Sequence, residues 1–230
     1  MKVVARAIVV VAALALATGA SGLDPQSFAD VASGVVLVRA TGCPGGETQT
    51  GSGFLVGTSV VVTAHHVVAG CRAARILVEE KKWVDVAHST YWRDGGTDLD
   101  VSTLKLAERF DDAWIFRLRA SQVPVGGHVA ALGHPLGAAV SYVNGRVVGR
   151  LPGQHLLLRM LGAQGMSGGP IVDGARQVVG LVNAGIGKPG FLTGDYTGDN
   201  VIAYDISSRW GSWRKTLCHA YPRGGIPGCG

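Results

Sequence analysis

Ser167 stands in the stretch GAQGMSGGP (162–170), with Gly165, Gly168 and Gly169 around it. Glycine lets a backbone turn tightly and lets a substrate carbonyl come close to the main chain. Such a turn can aim the N–H groups of Gly165 and Ser167 at one point, where they would stabilise the oxyanion of an acyl-transfer intermediate. A serine hydroxyl is a weak nucleophile until a base takes its proton. VVTAHHVVAG (61–70) offers two imidazoles, His65 and His66. Neighbouring side chains on a strand point to opposite faces, so one of the pair at most faces a given site. A base of this kind needs a carboxylate to fix its tautomer and to stabilise the imidazolium. TDLDVSTLKL (97–106) offers Asp98 and Asp100, which alternation places on one face.

The elements that must position these groups read as short strands. A first set is GVVLVRA (34–40), SGFLVG (52–57), SVVVTA (59–64), ARILVEE (74–80), WVDVAHS (83–89) and LDVSTLKLA (99–107). A second set follows a polar stretch: HVAALG (128–133), AVSYVNGRVVGR (139–150), HLLLRM (155–160), GPIVD (169–173), QVVGLVNAG (177–185) and NVIAYD (200–205). β-branched residues fill these runs, and Gly, Asp or Pro separates them. Asn144-Gly145 lies between two alternating runs and predicts a hairpin turn, since both residues tolerate positive φ. Two groups of about six strands, with no helical period between them, predict an all-β chain of two antiparallel barrels or a sandwich. Ile206, Trp210, Trp213 and Leu217 recur at spacings of 4, 3 and 4, one face of a short C-terminal helix.

Of the 230 residues, 47% are hydrophobic and 16% charged, which excludes a disordered chain. Lys2 and Arg6, the apolar run AIVVVAALALA (7–17) and the small residues TGASG describe a secretory signal peptide over residues 1–22. The run is too short for a membrane helix, so the exported chain is expected to have no membrane attachment. Removing Lys2 and Arg6 from the 21 basic residues leaves 19 against 16 acidic ones, a net charge of +3. There is no dense basic run, so nucleic acid is not an expected partner. Cys43, Cys71, Cys218 and Cys229 are even in number in an exported chain, which favours disulfides. Their spacing contains no Cys-x-x-Cys pair, so no metal site is expected. Four cysteines allow three pairings, and counting does not choose among them.

TAHHVV (63–68) resembles the Thr-Ala-Ala-His segment of trypsin-like serine proteases, and GMSGGP (165–170) resembles their Gly-Asp-Ser-Gly-Gly-Pro. DVSTLKL (100–106) is similar to their Asp-Ile-Ala-Leu-Leu-Lys-Leu. The order His, Asp, Ser is that of this family. GSGFLV (51–56) resembles the strand before the histidine, and GLVNAG (180–185) the strand that pairs with substrate. GHVAALGHPLG (127–137) is similar to a segment of bacterial HtrA-like proteases. The likeness spans roughly residues 34–207. It stops before any segment similar to the peptide-binding PDZ domain of many HtrA proteins.

The resemblance implies a chymotrypsin-like fold of two six-stranded barrels. A single protease domain is expected over 23–230, with barrels at about 34–107 and 127–205 and a helix and tail at 206–230. The motif count selects His66 as the base and leaves His65 a structural imidazole. The interval to Lys105 favours Asp100 over Asp98. The implied reaction is hydrolysis of protein or peptide substrates through His66, Asp100 and Ser167, with the Gly165 and Ser167 N–H groups as the oxyanion hole and no cofactor. The implied specificity pocket is formed near Leu161, Ala163, Val182, Asn183, Ala184 and Gly185, and favours a small or medium apolar residue. The family also implies a Cys43–Cys71 bridge, which leaves Cys218 with Cys229. Met166 departs from the family's Asp or Asn before the serine. A protease-like binding protein with impaired catalysis is the alternative that this departure raises.

Overall fold

The computed structural model describes residues 22–94, 97–153, 155–186, 198–206, 217–221 and 226–227. Twelve strands form two closed antiparallel barrels of six. The first comprises β1 (Val35–Thr41), β2 (Gln49–Gly57), β3 (Val60–Thr63), β4 (Ala73–Val78), β5 (Lys82–Asp94) and β6 (Thr97–Leu106), closed in the order β1-β2-β3-β6-β5-β4. The second comprises β7 (His128–Gly133), β8 (Ser141–Leu151), β9 (His155–Gly162), β10 (Pro170–Val172), β11 (Val178–Ile186) and β12 (Gly198–Asp205), closed as β10-β11-β12-β9-β8-β7. This is the chymotrypsin-like arrangement that the resemblance implied, and it decides between the barrels and the sandwich that the strand pattern left open. Closure leaves neither sheet with an open edge.

The valine-rich runs explain the packing. Val60, Val61 and Val62 of β3 are all fully buried. In a closed barrel one face of the strand looks inward, and here the outward face is also covered. The connection between the barrels runs along β2 and β11. Phe110 N–H donates to Thr58 O at 2.7 Å, Phe116 N–H to Leu55 O at 2.8 Å, and Arg119 N–H to Val178 O at 2.8 Å. Phe116 meets Phe54 edge-on at 5.8 Å between ring centres. The connector is thus bonded to both barrels and fixes their seam.

A short helix, α1 (Pro25–Val31), precedes β1 and was not expected. Asp24 caps it by accepting from Ser27 N–H at 2.9 Å, and Pro25 sits in its first turn. The expected hairpin at Asn144-Gly145 is corrected: β8 runs straight through both residues, Asn144 opposite Ala130 and Gly145 opposite Val129. The Asn144 amide instead holds the segment just before α1, accepting from Leu23 N–H at 2.9 Å and donating to Leu23 O at 3.0 Å. Gly145 answers a close approach, because a Cβ there would stand 2.5 Å from Arg159 O on β9. The turn signal at this dipeptide was therefore a packing signal.

At the C-terminus residues 217–220 are helical and Leu217 is buried. Trp210 and Trp213 lie outside the described residues. Tyr221 Oη bonds Thr103 Oγ1 of β6 at 2.8 Å, so this end of the chain packs on the first barrel. No described helix is long and apolar enough to cross a membrane. The expected signal segment, 1–22, lies outside the described residues except for Gly22.

Candidate active site

The first barrel carries His66 and Asp100. β3 ends at Thr63, and a single 3-10 turn, His65–Val67, follows. Thr63 pairs with Ser102 of β6, which brings Asp100, two residues earlier on the same strand, beside that turn. His66 N–H donates to Asp100 Oδ1 at 2.7 Å, and His66 Nδ1 lies 2.6 Å from Asp100 Oδ2. An ionised carboxylate only accepts, so Nδ1 carries the proton and Nε2 presents its lone pair. Burial pushes the Asp100 carboxyl up. The hydrogen bonds from His66 and the electrostatic attraction of the His66 and His65 rings outweigh this and hold it below the ordinary carboxylate value. It therefore stays ionised opposite the ring.

The two adjacent imidazoles part company at the turn. His66 is exposed, with about half its side chain open to solvent. His65 is half-buried. Its Nδ1 lies 2.9 Å from Ser102 Oγ, and its ring stacks on Tyr91 at 4.8 Å. The Asp98 side chain lies outside what is described, so only Asp100 can be placed against the histidine.

Asn183 is a partner that the sequence did not reveal in this role. Its Nδ2 donates to Asp100 Oδ2 at 2.6 Å, across the seam between barrels. The register of β11 against β12 shifts between Val182 and Ala184, leaving Asn183 as the extra residue. Such a bulge re-aims a side chain, and here the re-aimed amide reaches the carboxylate. The sequence signal was the GLVNAG resemblance, which pointed to substrate pairing rather than to Asp100.

Ser167 lies on the loop between β9 and β10, partly exposed. Gly165 has φ +88°, and a Cβ there would meet His134 O at 2.5 Å, so only glycine fits. Met166 is buried in the second-barrel core beside Ile171 and Val182. The departure from Asp or Asn thus replaces a polar anchor by an apolar one. Along 165–169 three N–H groups are bonded: Met166 to Ala163 O, Gly168 to Val182 O and Gly169 to Met166 O. Those of Gly165 and Ser167 find no acceptor among the described residues.

The serine turn packs directly on the histidine turn. A Cβ on Gly168 would stand 2.4 Å from Thr63 Oγ1 and 2.6 Å from Ala64 N. One on Gly51 would stand 2.6 Å from Val67 and 2.9 Å from Ser167 O. Ser167 Oγ makes no hydrogen bond to His66 or to any other described residue. In a site without substrate such bonds are often long and tighten only on binding.

The six expected pocket residues divide. Leu161 is exposed, Ala163, Asn183 and Ala184 are half-buried, and a Cβ on Gly185 would meet nothing within 4 Å. Val182 is buried, and both its backbone groups are used, its N–H on Gly169 O at 2.9 Å and its C=O by Gly168 N–H at 2.7 Å. It braces the serine turn. Cys43 and Cys71 are bridged, as the resemblance implied, which ties the end of β1 to the chain just after the histidine turn. Cys218 is also disulfide-bonded, and Cys229 lies outside the described residues.

Comparison with known proteins agrees with this architecture. A search of curated protein sequences found no match. Among solved structures, the active form of the Rv3671c protease from M. tuberculosis is similar with a TM-score of 0.64 at 20% identity, covering 95% of this chain and 98% of that one. The serine endoprotease from Yersinia pestis gives a TM-score of 0.67 at 16% identity over 89% of this chain and 69% of its own. The HtrA-type protease AlgW with tripeptide gives 0.66 at 18% identity, over 84% and 63%. At these identities the likeness is one of fold. The family model of the trypsin-like peptidase domain matches residues 51–181, more than half the chain and the whole stretch from before His66 to β11. The chain therefore belongs to the trypsin-like peptidase family.

Proposed function

We propose that the protein is an exported serine endopeptidase that works through an acyl-enzyme on Ser167. The observation that carries this is the bonded series Asn183–Asp100–His66, packed against a turn in which the N–H groups of Gly165 and Ser167 are unclaimed among the described residues. His66 Nε2 takes the Ser167 hydroxyl proton as Oγ attacks the peptide carbonyl. The carbonyl oxygen gains charge and is met by the two N–H groups. The imidazolium then protonates the leaving amine, and the acyl-enzyme remains. A water, deprotonated by His66, hydrolyses that ester and restores the serine. Asp100 stays ionised throughout, holding the tautomer and facing the imidazolium.

The substrate strand pairs with residues 183–185, and its side chain before the scissile bond enters beside Leu161, Ala163, Ala184 and Gly185. These are apolar or small, so a small or medium apolar residue is preferred. Residues 1–22 direct export, and the Cys43–Cys71 bridge is in keeping with an oxidising compartment. Cleavage of a mixed peptide library tests the reading. Defined cuts after apolar residues, lost in Ser167→Ala, support it. No cuts by the folded wild type would favour a binding protein with impaired catalysis.

A further inference from the structure

Ser52 is fully buried on β2 between two glycines, and every polar group it has is engaged. Its backbone N–H donates to Ser167 O at 2.8 Å, and its C=O accepts from Thr63 Oγ1 at 2.7 Å. Its hydroxyl donates to Gly165 O at 2.7 Å and accepts from His134 N–H at 2.8 Å. The hydroxyl has one proton, and His134 N–H can only donate, so that proton is committed to Gly165 O. One residue of the first barrel therefore grips both ends of the segment 165–167 in the second. It takes one end through the side chain and the other through the main chain.

The consequence follows from peptide geometry. Gly165 joins two planar peptides. The preceding one is fixed by Gln164 O, which accepts from Leu136 N–H at 2.7 Å. The following one is held by the Ser52 hydroxyl on Gly165 O at 2.7 Å and, at a longer 3.2 Å, by Met166 N–H on Ala163 O. Between them Gly165 sits at φ +88° and has no side chain to resist rotation. Freeing its carbonyl would leave the following peptide held only by Met166 N–H on Ala163 O among the described residues, and the turn that aims the Gly165 N–H would loosen. We propose that Ser52 is a positioning residue whose buried hydroxyl holds the Gly165 N–H in line for the developing oxyanion. It touches no substrate, so its effect is confined to states that carry negative charge on the carbonyl oxygen. The inference rests on the proposed role of Ser167 and Gly165.

Ser52→Ala and Ser52→Cys, both close to the native volume, test it on the full chain. Rates are referred to active sites titrated with a fluorophosphonate, so partial misfolding does not count as lost catalysis. The expected result is a kcat lowered roughly 10- to 100-fold in Ser52→Ala, short of the loss on removing an oxyanion donor itself. KM should stay near the wild-type value. A peptide aldehyde, which binds as a tetrahedral oxyanion, should weaken by the same factor as kcat. The corresponding cleaved product, which has no such oxyanion, should bind unchanged. Ser52→Cys, with a weaker donor, should fall between; if Ser52→Ala does not fold, an aldehyde affinity lowered in Ser52→Cys still supports the inference. Unchanged aldehyde affinity in a folded variant, or a loss shared equally by aldehyde and product, overturns it. Absence of labelling and turnover in the wild type would instead sink the proposed function.

Discussion

Asn183 Nδ2 and His66 Nδ1 meet the same oxygen of Asp100, each at 2.6 Å. The amide comes from the second barrel and the ring from the first, so the carboxylate is held from both sides of the seam. A hydrogen bond to a charged group is worth about 1.5–3 kcal/mol. Asn183→Ala should therefore lower kcat/KM roughly 10- to 100-fold while leaving the fold intact. Asn183→Asp, of the same shape, places a like charge against Asp100 and should cost more. Steady-state kinetics with circular dichroism separates these outcomes from misfolding.

The two histidines should separate by readout. His66→Ala should lower turnover by about 10⁴-fold or more, as expected for the proposed general base. His65→Ala removes the partner of buried Ser102 and a ring from Tyr91. It should cost about 1–2 kcal/mol of stability in urea titration and leave most of the turnover. The reverse pattern would mean that the turn after β3 presents the other imidazole.

His134 gives stability a pH dependence of its own. The ring is almost wholly buried; its Nδ1 donates to Ala138 O at 2.9 Å, and its Nε2 has no partner among the described residues. Burial lowers its pKa, against the pull of the Ala138 and Val35 carbonyls and the Glu80 charge. The unfolded chain then binds the proton more readily than the folded one. The contribution is complete above the ordinary value of 6.5 and is lost as pH falls through the depressed folded value. Urea midpoints measured from neutral to acidic pH should fall in the wild type, and fall less steeply in His134→Gln.

Reduction should reach the site through the Cys43–Cys71 bridge. It closes a loop between residues 28 apart, worth about 3–4 kcal/mol by chain entropy. Replacing both cysteines by serine should lower the melting temperature. It should also lower turnover, because the bridge clamps the chain just after His66. Calorimetry and kinetics on the pair variant check both effects.

Strand periodicity and three spaced motifs make the twelve strands and the pairing of His66 with Asp100 legible in the sequence. Those signals are local or shared across a family. The features that stay hidden in it are non-local. Asn144-Gly145 has turn chemistry, yet it is used for a contact with Leu23 and for the close approach of β9. The role of Asn183 depends on a bulge in β11, set by a register that no single segment encodes. Ser52 reads as the polar start of the run SGFLVG, and only the seam brings Gly165 and Ser167 to it.

Every step of the proposed reaction depends on Ser167 being made nucleophilic by His66. The most direct measurement is a time course with a fluorophosphonate, followed by peptide mapping of the adduct. The wild type should label at Ser167 alone, Ser167→Ala should not label, and His66→Ala should label slower by about 10³-fold or more. Labelling at another serine, or at Ser167 with a rate indifferent to His66→Ala, would contradict it.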